Sequence, residues 1–157
     1  FKASELVAPM KIYGEAQEGS QGRDPDSVPE LSALWRTQPA ATRLGITVAG
    51  FPNFFMLVGP NTGLGHNSII FMIECQVNYI VQALKSLQKS GQTVLRLRTD
   101  VQQGEYARIQ QKMVGTVWSS GCKSWYQNAQ GQIDTLWPGY TWQYWLQSRR
   151  FQTRDYL

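Results

Sequence analysis

At 157 residues with 42% of them hydrophobic, the chain is long enough to bury one real core, which excludes a disordered tail. Its longest apolar runs, residues 54–58 and 69–73, fall well short of the roughly 20 residues needed to span a bilayer, so no membrane span is expected. The net charge of +4 comes from Lys and Arg spread along the chain, apart from Arg149, Arg150 and Arg154; this reads as a solvated surface, not a nucleic-acid patch.

The start, Phe1-Lys2-Ala3-Ser4-Glu5, has neither an initiator methionine nor a signal sequence and suggests a fragment or a processed chain. Lys11-Ile12-Tyr13 reads as a short edge strand, and residues 14–29, rich in Gly, Ser, Asp and Pro, read as a surface loop. After Pro29, Leu31, Leu34 and Trp35 recur at helical spacing and predict a short helix that pins this loop to the body.

Residues 51–91 form the stretch around which the rest is arranged. Phe54-Phe55-Met56-Leu57-Val58 is wholly apolar, bounded by Pro52 and by Gly59-Pro60, and predicts a buried strand. A glycine-rich turn follows, Gly59-Pro60-Asn61-Thr62-Gly63-Leu64-Gly65-His66-Asn67-Ser68. Then Ile69, Ile73, Val77, Ile80, Leu84 and Leu87 mark one stripe of a long helix. Asn67 or Ser68 can cap its start, Gly91 stops it, and the all-apolar run 69–73 predicts a central, buried helix.

Beyond it, residues 92–98 alternate, with Leu95 and Leu97 on one face and Arg96 and Arg98 on the other, as in a half-exposed strand. Thr99-Asp100-Val101-Gln102 has the form of a capping box. Tyr106, Ile109 and Met113 then carry a second helix to about Val114. Ser124-Trp125-Tyr126 and Ile133-Asp134-Thr135-Leu136 read as a hairpin about the turn Asn128-Ala129-Gln130-Gly131. The aromatic run 140–146 suits either a strand or a helix, and the shared face of Trp142, Trp145 and Leu146 favours the helix.

The chemistry resides in the glycine turn. Amides at a helix start, unobstructed by glycine, bind anions or electron-rich carbonyl groups. Gly63-Leu64-Gly65-His66-Asn67-Ser68 nearly fits a dinucleotide fingerprint, but the acidic residue about 20 positions on is missing, and no lysine stands where a phosphate loop needs one. His66 reads as a neutral, hydrogen-bonded imidazole more readily than as a general base, and Glu74 as a paired structural carboxylate. Trp118, Trp125, Trp137, Trp142 and Trp145 read as core before ligand pocket. Cys75 and Cys122 make neither a disulfide framework nor a metal motif with His66, which leaves free thiols in a reducing, cytoplasmic setting; no nucleophile triad or catalytic residue can be named.

Phe51-Pro52-Asn53-Phe54-Phe55-Met56-Leu57 with the turn 59–68, Thr116-Val117-Trp118, Cys122, Ser124-Trp125-Tyr126 and Leu136-Trp137-Pro138-Gly139 together resemble the C-terminal part of flavin-containing Baeyer-Villiger monooxygenases. The nearest branch is the hydroxyacetophenone-monooxygenase-like one. The resemblance implies an α/β fold, with residues 1–91 the incomplete C-terminal part of a Rossmann-like FAD-binding domain and 92–157 a small α+β extension packed on it. It implies FAD and NADPH as cofactors, both needing upstream residues absent here, and a ketone or aldehyde substrate. The missing N-terminal portion of the same enzyme would be the partner, with no nucleic acid or membrane involved. By position, Asn61, Thr62, His66, Asn67 and Ser68 would lie near the flavin, and Gly63, Leu64 and Gly65 would line the substrate side. The alternative is a non-catalytic fragment or binding module that uses the same helix start for another ligand.

Overall fold

The structure, a computed structural model, describes residues 10–16, 28–64, 68–118 and 131–157. Among them run the helices α1 (Leu31–Thr37), α2 (Ile69–Ser90), α3 (Thr99–Met113) and α4 (Thr141–Ser148), then a 3-10 turn at Thr153–Asp155.

The expected short helix after Pro29 is α1, and it packs as its spacing requires. Leu31 and Trp35 are buried against Val48, Phe51 and Met56 in a small satellite core; full burial of side chains of this size contributes roughly 1.5–3 kcal/mol each. Leu31 N donates to Ile12 O at 2.9 Å and Gly14 N to Pro29 O at 2.9 Å, so the segment 11–13, expected as an edge strand, contributes one bridge, Tyr13 with Glu30.

Both ends of α2 form as the sequence marks them. Ser68 Oγ accepts a long hydrogen bond from Phe71 N at 3.5 Å, and Gly91 ends the helix in the left-handed conformation, φ 69°. The buried stripe, however, is Met72, Cys75, Gln76, Tyr79 and Ala83. Of the stripe expected from sequence, Ile69, Ile80 and Leu87 pack partly against the core, whereas Val77 and Leu84 are exposed. The expectation of burial all round also fails, since Ile70 is 64% exposed. Apolar residues occur on two sides of this helix, and periodicity alone does not say which side this chain itself covers.

No strand forms among the described residues, which corrects the strand content of both expected units. Residues 54–58 are apolar but have no ladder partner: Met56 N donates to Ile46 O at 2.8 Å, and then Val58 turns left-handed, φ 55°. Residues 92–98 do alternate in burial, Leu95 and Leu97 in, Arg96 and Arg98 out, yet only Leu97 is bridged, to Tyr156. A strand needs a neighbour of comparable length. The segment 153–157 is too short and too curved by its 3-10 turn to supply one.

α3 starts at Thr99, but the capping box is absent. Arg98 occupies the cap position, and Gln102 Oε1 instead accepts from Ala49 N at 2.7 Å. Ile109 and Met113 are buried as expected. The favoured helix at 140–146 is α4, whose buried residues are Tyr144 and Ser148; Trp142, Trp145 and Leu146 share a face, and that face is exposed. Trp137 is fully buried and meets Tyr144 edge-on at 5.3 Å. Trp125, Cys122 and the first half of the expected hairpin lie outside the described residues. The main core draws Leu44 and Ile46, the inner face of α2, Leu95, Leu97, Ile109, Trp137, Tyr144 and Tyr156 into one cluster. No helix of the described residues is long and apolar enough to cross a membrane.

Candidate functional site: the turn leading into α2

The turn is seated on backbone-to-backbone contact. A Cβ on Gly59 would meet the carbonyl of Gly45, and one on Gly45 (φ 66°) would meet Thr62 Cγ2, so the two glycines permit the loop 42–47 and the turn 59–62 to lie directly against each other. Thr42 Oγ1 accepts from Gly45 N at 3.0 Å and donates to Pro60 O at 3.4 Å, tying the two together. Val58 enters the turn at positive φ, an outlier for a β-branched residue. Such a conformation costs of order 1–3 kcal/mol and persists only where neighbours hold it. Here Gln76 on α2 holds it, its Oε1 accepting from Val58 N at 2.9 Å.

Of the residues singled out from sequence, Asn61 and Thr62 point inward. Asn61 is 3% exposed and left-handed, φ 59°; its Nδ2 donates to Ile133 O at 2.8 Å and Leu136 O at 3.3 Å, and its own N–H to Asp134 O at 2.7 Å. Thr62, 1% exposed, donates from Oγ1 to Gly59 O at 2.6 Å. Gly63 N donates to Thr135 O at 2.9 Å, Trp137 N donates back to Gly63 O at 2.9 Å, and the pair forms a parallel bridge to Leu136. A Cβ on Gly63 would sit 2.8 Å from Thr135 O, so internal packing already requires glycine there. Leu64 is half-buried against the main core, and Ser68 is exposed at the start of α2. Gly65, His66 and Asn67 lie outside the described residues.

Behind the turn lies a charged cluster that sequence reading missed. Arg43, counted among the solvated basic residues, is largely buried: its guanidinium pairs with Glu105 on α3 and, from Nε at 2.9 Å, with Asp155. Burial disfavours its charge, but Glu105 and Asp155 outweigh that and hold the guanidinium above its ordinary range. Glu105 also accepts from Leu44 N at 3.1 Å, where Leu44 is left-handed, φ 56°. Next to it the hydroxyls of Thr47, Tyr156 and Tyr79 form a chain at 3.0 and 3.2 Å. Burial pushes the Tyr79 and Tyr156 phenols up from their ordinary value. The pairs span 62 and 112 residues of sequence, so no local pattern announces them. Glu74, read as a paired carboxylate, is exposed on α2.

The outward side of this construction is the first turn of α2. Its leading amides lack intrahelical acceptors by the geometry of any helix start, and Ile70 and Phe71 stand exposed beside them. Hydrogen-bond donors with a partial positive charge, flanked by apolar side chains, suit a flat heteroaromatic group with an electron-rich edge. That donor set fits the electron-rich edge of a flavin ring.

No family model matches the chain. By sequence it is 43% identical over 140 residues to a Baeyer-Villiger monooxygenase of Pseudomonas aeruginosa, covering 88% of this chain and 25% of that protein. It is 42% identical to one of Streptomyces coelicolor, with 96% and 28% covered, and 35% identical to the FAD-binding monooxygenase ktnD of Aspergillus niger, with 100% and 25% covered. The fold matches that of OTEMO in complex with FAD and NADP, with a TM-score of 0.73 at 16% identity over 99% of this chain and 27% of that one. Oxidized steroid monooxygenase bound to NADP matches at 0.64 and 23% identity, over 75% and 22%. The chain thus spans about a quarter of the length of the relatives it matches. Identity above 40% sustained over nearly all of its residues makes the chain homologous to a segment of the Baeyer-Villiger monooxygenases.

Proposed function

We propose that the chain is the C-terminal part of an FAD- and NADPH-dependent monooxygenase that inserts oxygen into ketones or related carbonyl compounds. Residues 1–91 would complete its FAD-binding portion, and residues 92–157 form an extension packed on it. The observation that carries this reading is the 43% identity to a Baeyer-Villiger monooxygenase across 88% of the chain. The glycine turn and the first turn of α2 are the elements we assign to the flavin. FAD, when bound, supplies the oxygen-activating chemistry, and NADPH supplies the reducing equivalents.

The residues of this chain then have distinct tasks. The leading amides of α2, with His66, Asn67 and Ser68, hold the electron-rich edge of the ring, where the partial positive charge of a helix start favours negative charge. Asn61 and Thr62, whose side chains are spent inward, fix the backbone from which those donors project. Gly63, Leu64 and Gly65 line the substrate side.

The test uses the complete protein that contains this segment. Purified, it should carry FAD and oxidise NADPH faster when a ketone is present, with an ester or lactone as product. Absence of flavin together with ketone-insensitive NADPH oxidation would overturn the proposal. The 157-residue chain alone should bind FAD weakly or not at all and leave NADPH unoxidised, because the glycine fingerprints that hold the two pyrophosphates are missing from it. Stoichiometric FAD binding by that chain would refute the assignment of the pyrophosphate site to another part of the protein.

A further inference from the structure

We infer that α2 is a two-faced helix whose second face, formed by Ile70, Ile73, Val77, Val81 and Leu84, is a docking surface for the nucleotide-binding remainder of the same polypeptide. This rests on the reading of the chain as one part of a longer monooxygenase. The first face, Met72, Cys75, Gln76, Tyr79 and Ala83, is consumed by this chain's own core. The second recurs at spacings of three and four, the period of a buried helical stripe, although Val77, Val81 and Leu84 are 44%, 41% and 50% exposed. Glu74, Asn78 and Lys85 flank this stripe on one side, and the polar side chain of the first face, Gln76, is buried with its Oε1 on Val58 N. An apolar stripe of four turns left open to water is out of place on a free surface and marks a covered one.

What covers it follows from length and position. The relatives that match this chain at 42–43% identity extend to about four times its length, so the larger part of such a protein lies outside these residues. The stripe begins at Ile70, in the same helical turn as the amides assigned to the flavin. A part of the polypeptide that holds the rest of that cofactor must come against this end of α2, and the apolar stripe continues from there along the helix.

Single cysteines at Val77 and Val81, and at the polar-face control Lys85, distinguish the alternatives in the complete protein. Labelling with N-ethylmaleimide is read site by site by peptide mass mapping. Val77→Cys and Val81→Cys should react about tenfold or more slowly than Lys85→Cys in the native protein, since access requires local opening, and equally fast in denaturant. Equal native rates would overturn the inference, and so would a protection that disappears on dilution, because a second copy would then be the occupant. Footprinting of Ile70 and Leu84 in the unsubstituted protein, which should show both shielded, removes any dependence on the variants. Flavin content and ketone-stimulated NADPH oxidation are recorded on the same samples. Shielding without flavin activity would uphold the docking face and sink the proposed function, whereas labelling with full activity would do the reverse.

Discussion

Asn61 separates a residue that touches a cofactor from one that shapes the backbone around it. Replacing it with alanine removes the Nδ2 donor from Ile133 O and Leu136 O. Ile133 O retains Gln110 Nε2 at 3.0 Å, so the loss falls mainly on Leu136 O, a buried acceptor. One net hydrogen bond is worth about 1 kcal/mol, and a buried acceptor deprived of its donor about 1 more. Alanine at φ 59° adds roughly 1 kcal/mol that asparagine largely avoids. The total is about 3 kcal/mol, concentrated where the turn meets residues 133–137. Hydrogen exchange of the complete protein reads it locally, at the amides of Asn61, Gly63 and Trp137, which donate to Asp134, Thr135 and Gly63. Local opening easier by 3 kcal/mol accelerates their exchange roughly 150-fold. Asn61→Gly, free of the backbone term, should lose about 1 kcal/mol less, and Asn61→Asp, which turns carboxylate oxygens toward two carbonyls, should lose more than alanine. Unchanged exchange in Asn61→Ala combined with lost flavin or turnover would refute this placement and return the side chain to the cofactor.

Gly59→Ala should destabilise the protein by about 3 kcal/mol because its Cβ meets the Gly45 carbonyl, whereas Gly50→Ala (φ 82°, open space) should cost only about 1; thermal unfolding of both variants compares them. Glu105→Gln, which keeps an acceptor for Leu44 N but leaves Arg43 with Asp155 alone, should lower stability by about 3 kcal/mol, and an unchanged melting temperature would show that Asp155 suffices. Burial raises the Tyr144 phenol, which donates to Leu44 O at 2.6 Å. The folded state therefore keeps a proton that the unfolded chain releases above about pH 10. Its contribution is fully present below that pH and is lost as pH rises toward the folded value, with a slope of up to about 1.4 kcal/mol per pH unit. Tyr144→Phe should flatten the alkaline limb of stability against pH by that share, and an unaltered slope would remove Tyr144 as a cause.

The helices were legible wherever the local code is sufficient. Ser68 and Gly91 bracket α2 as their chemistry requires, and α1 and α4 follow from spacing of apolar residues over two turns. Strand content was misread because apolarity and alternation describe burial, not pairing: residues 92–98 have the burial of a strand, and residues 54–58 its composition, without a ladder. On α2 the stripe expected from sequence straddles the boundary of the buried face for a related reason: Ile69, Ile80 and Leu87 reach the core while Val77 and Leu84 do not, because apolar residues of helical period occur on both sides and only the tertiary structure reveals which one this chain fills. Within the turn, glycine was read as room for a ligand. At Gly59 and Gly63 the neighbouring atoms belong to the chain itself, Gly59 lying against Gly45 of the loop beneath. Arg43 was invisible because its partners are distant in sequence, and a single arginine between Thr42 and Leu44 has no carboxylate nearby in the chain to mark it as a buried ion-pair member.

The Arg43 cluster also fixes an order of events during synthesis. Arg43 must wait for 112 further residues before Asp155 exists to neutralise it. At about 5–20 residues per second that delay is on the order of ten seconds. Until then the loop 42–47 beneath the glycine turn has an uncompensated guanidinium that favours water, and Glu105, arriving 62 residues later, can offer only the first half of its enclosure. The seat of the turn can therefore close fully only after Asp155 has been made, by long-range contacts with a high loop-closure cost. A translational pause placed between the codons for Glu105 and Asp155 would prolong the interval in which this core stands open.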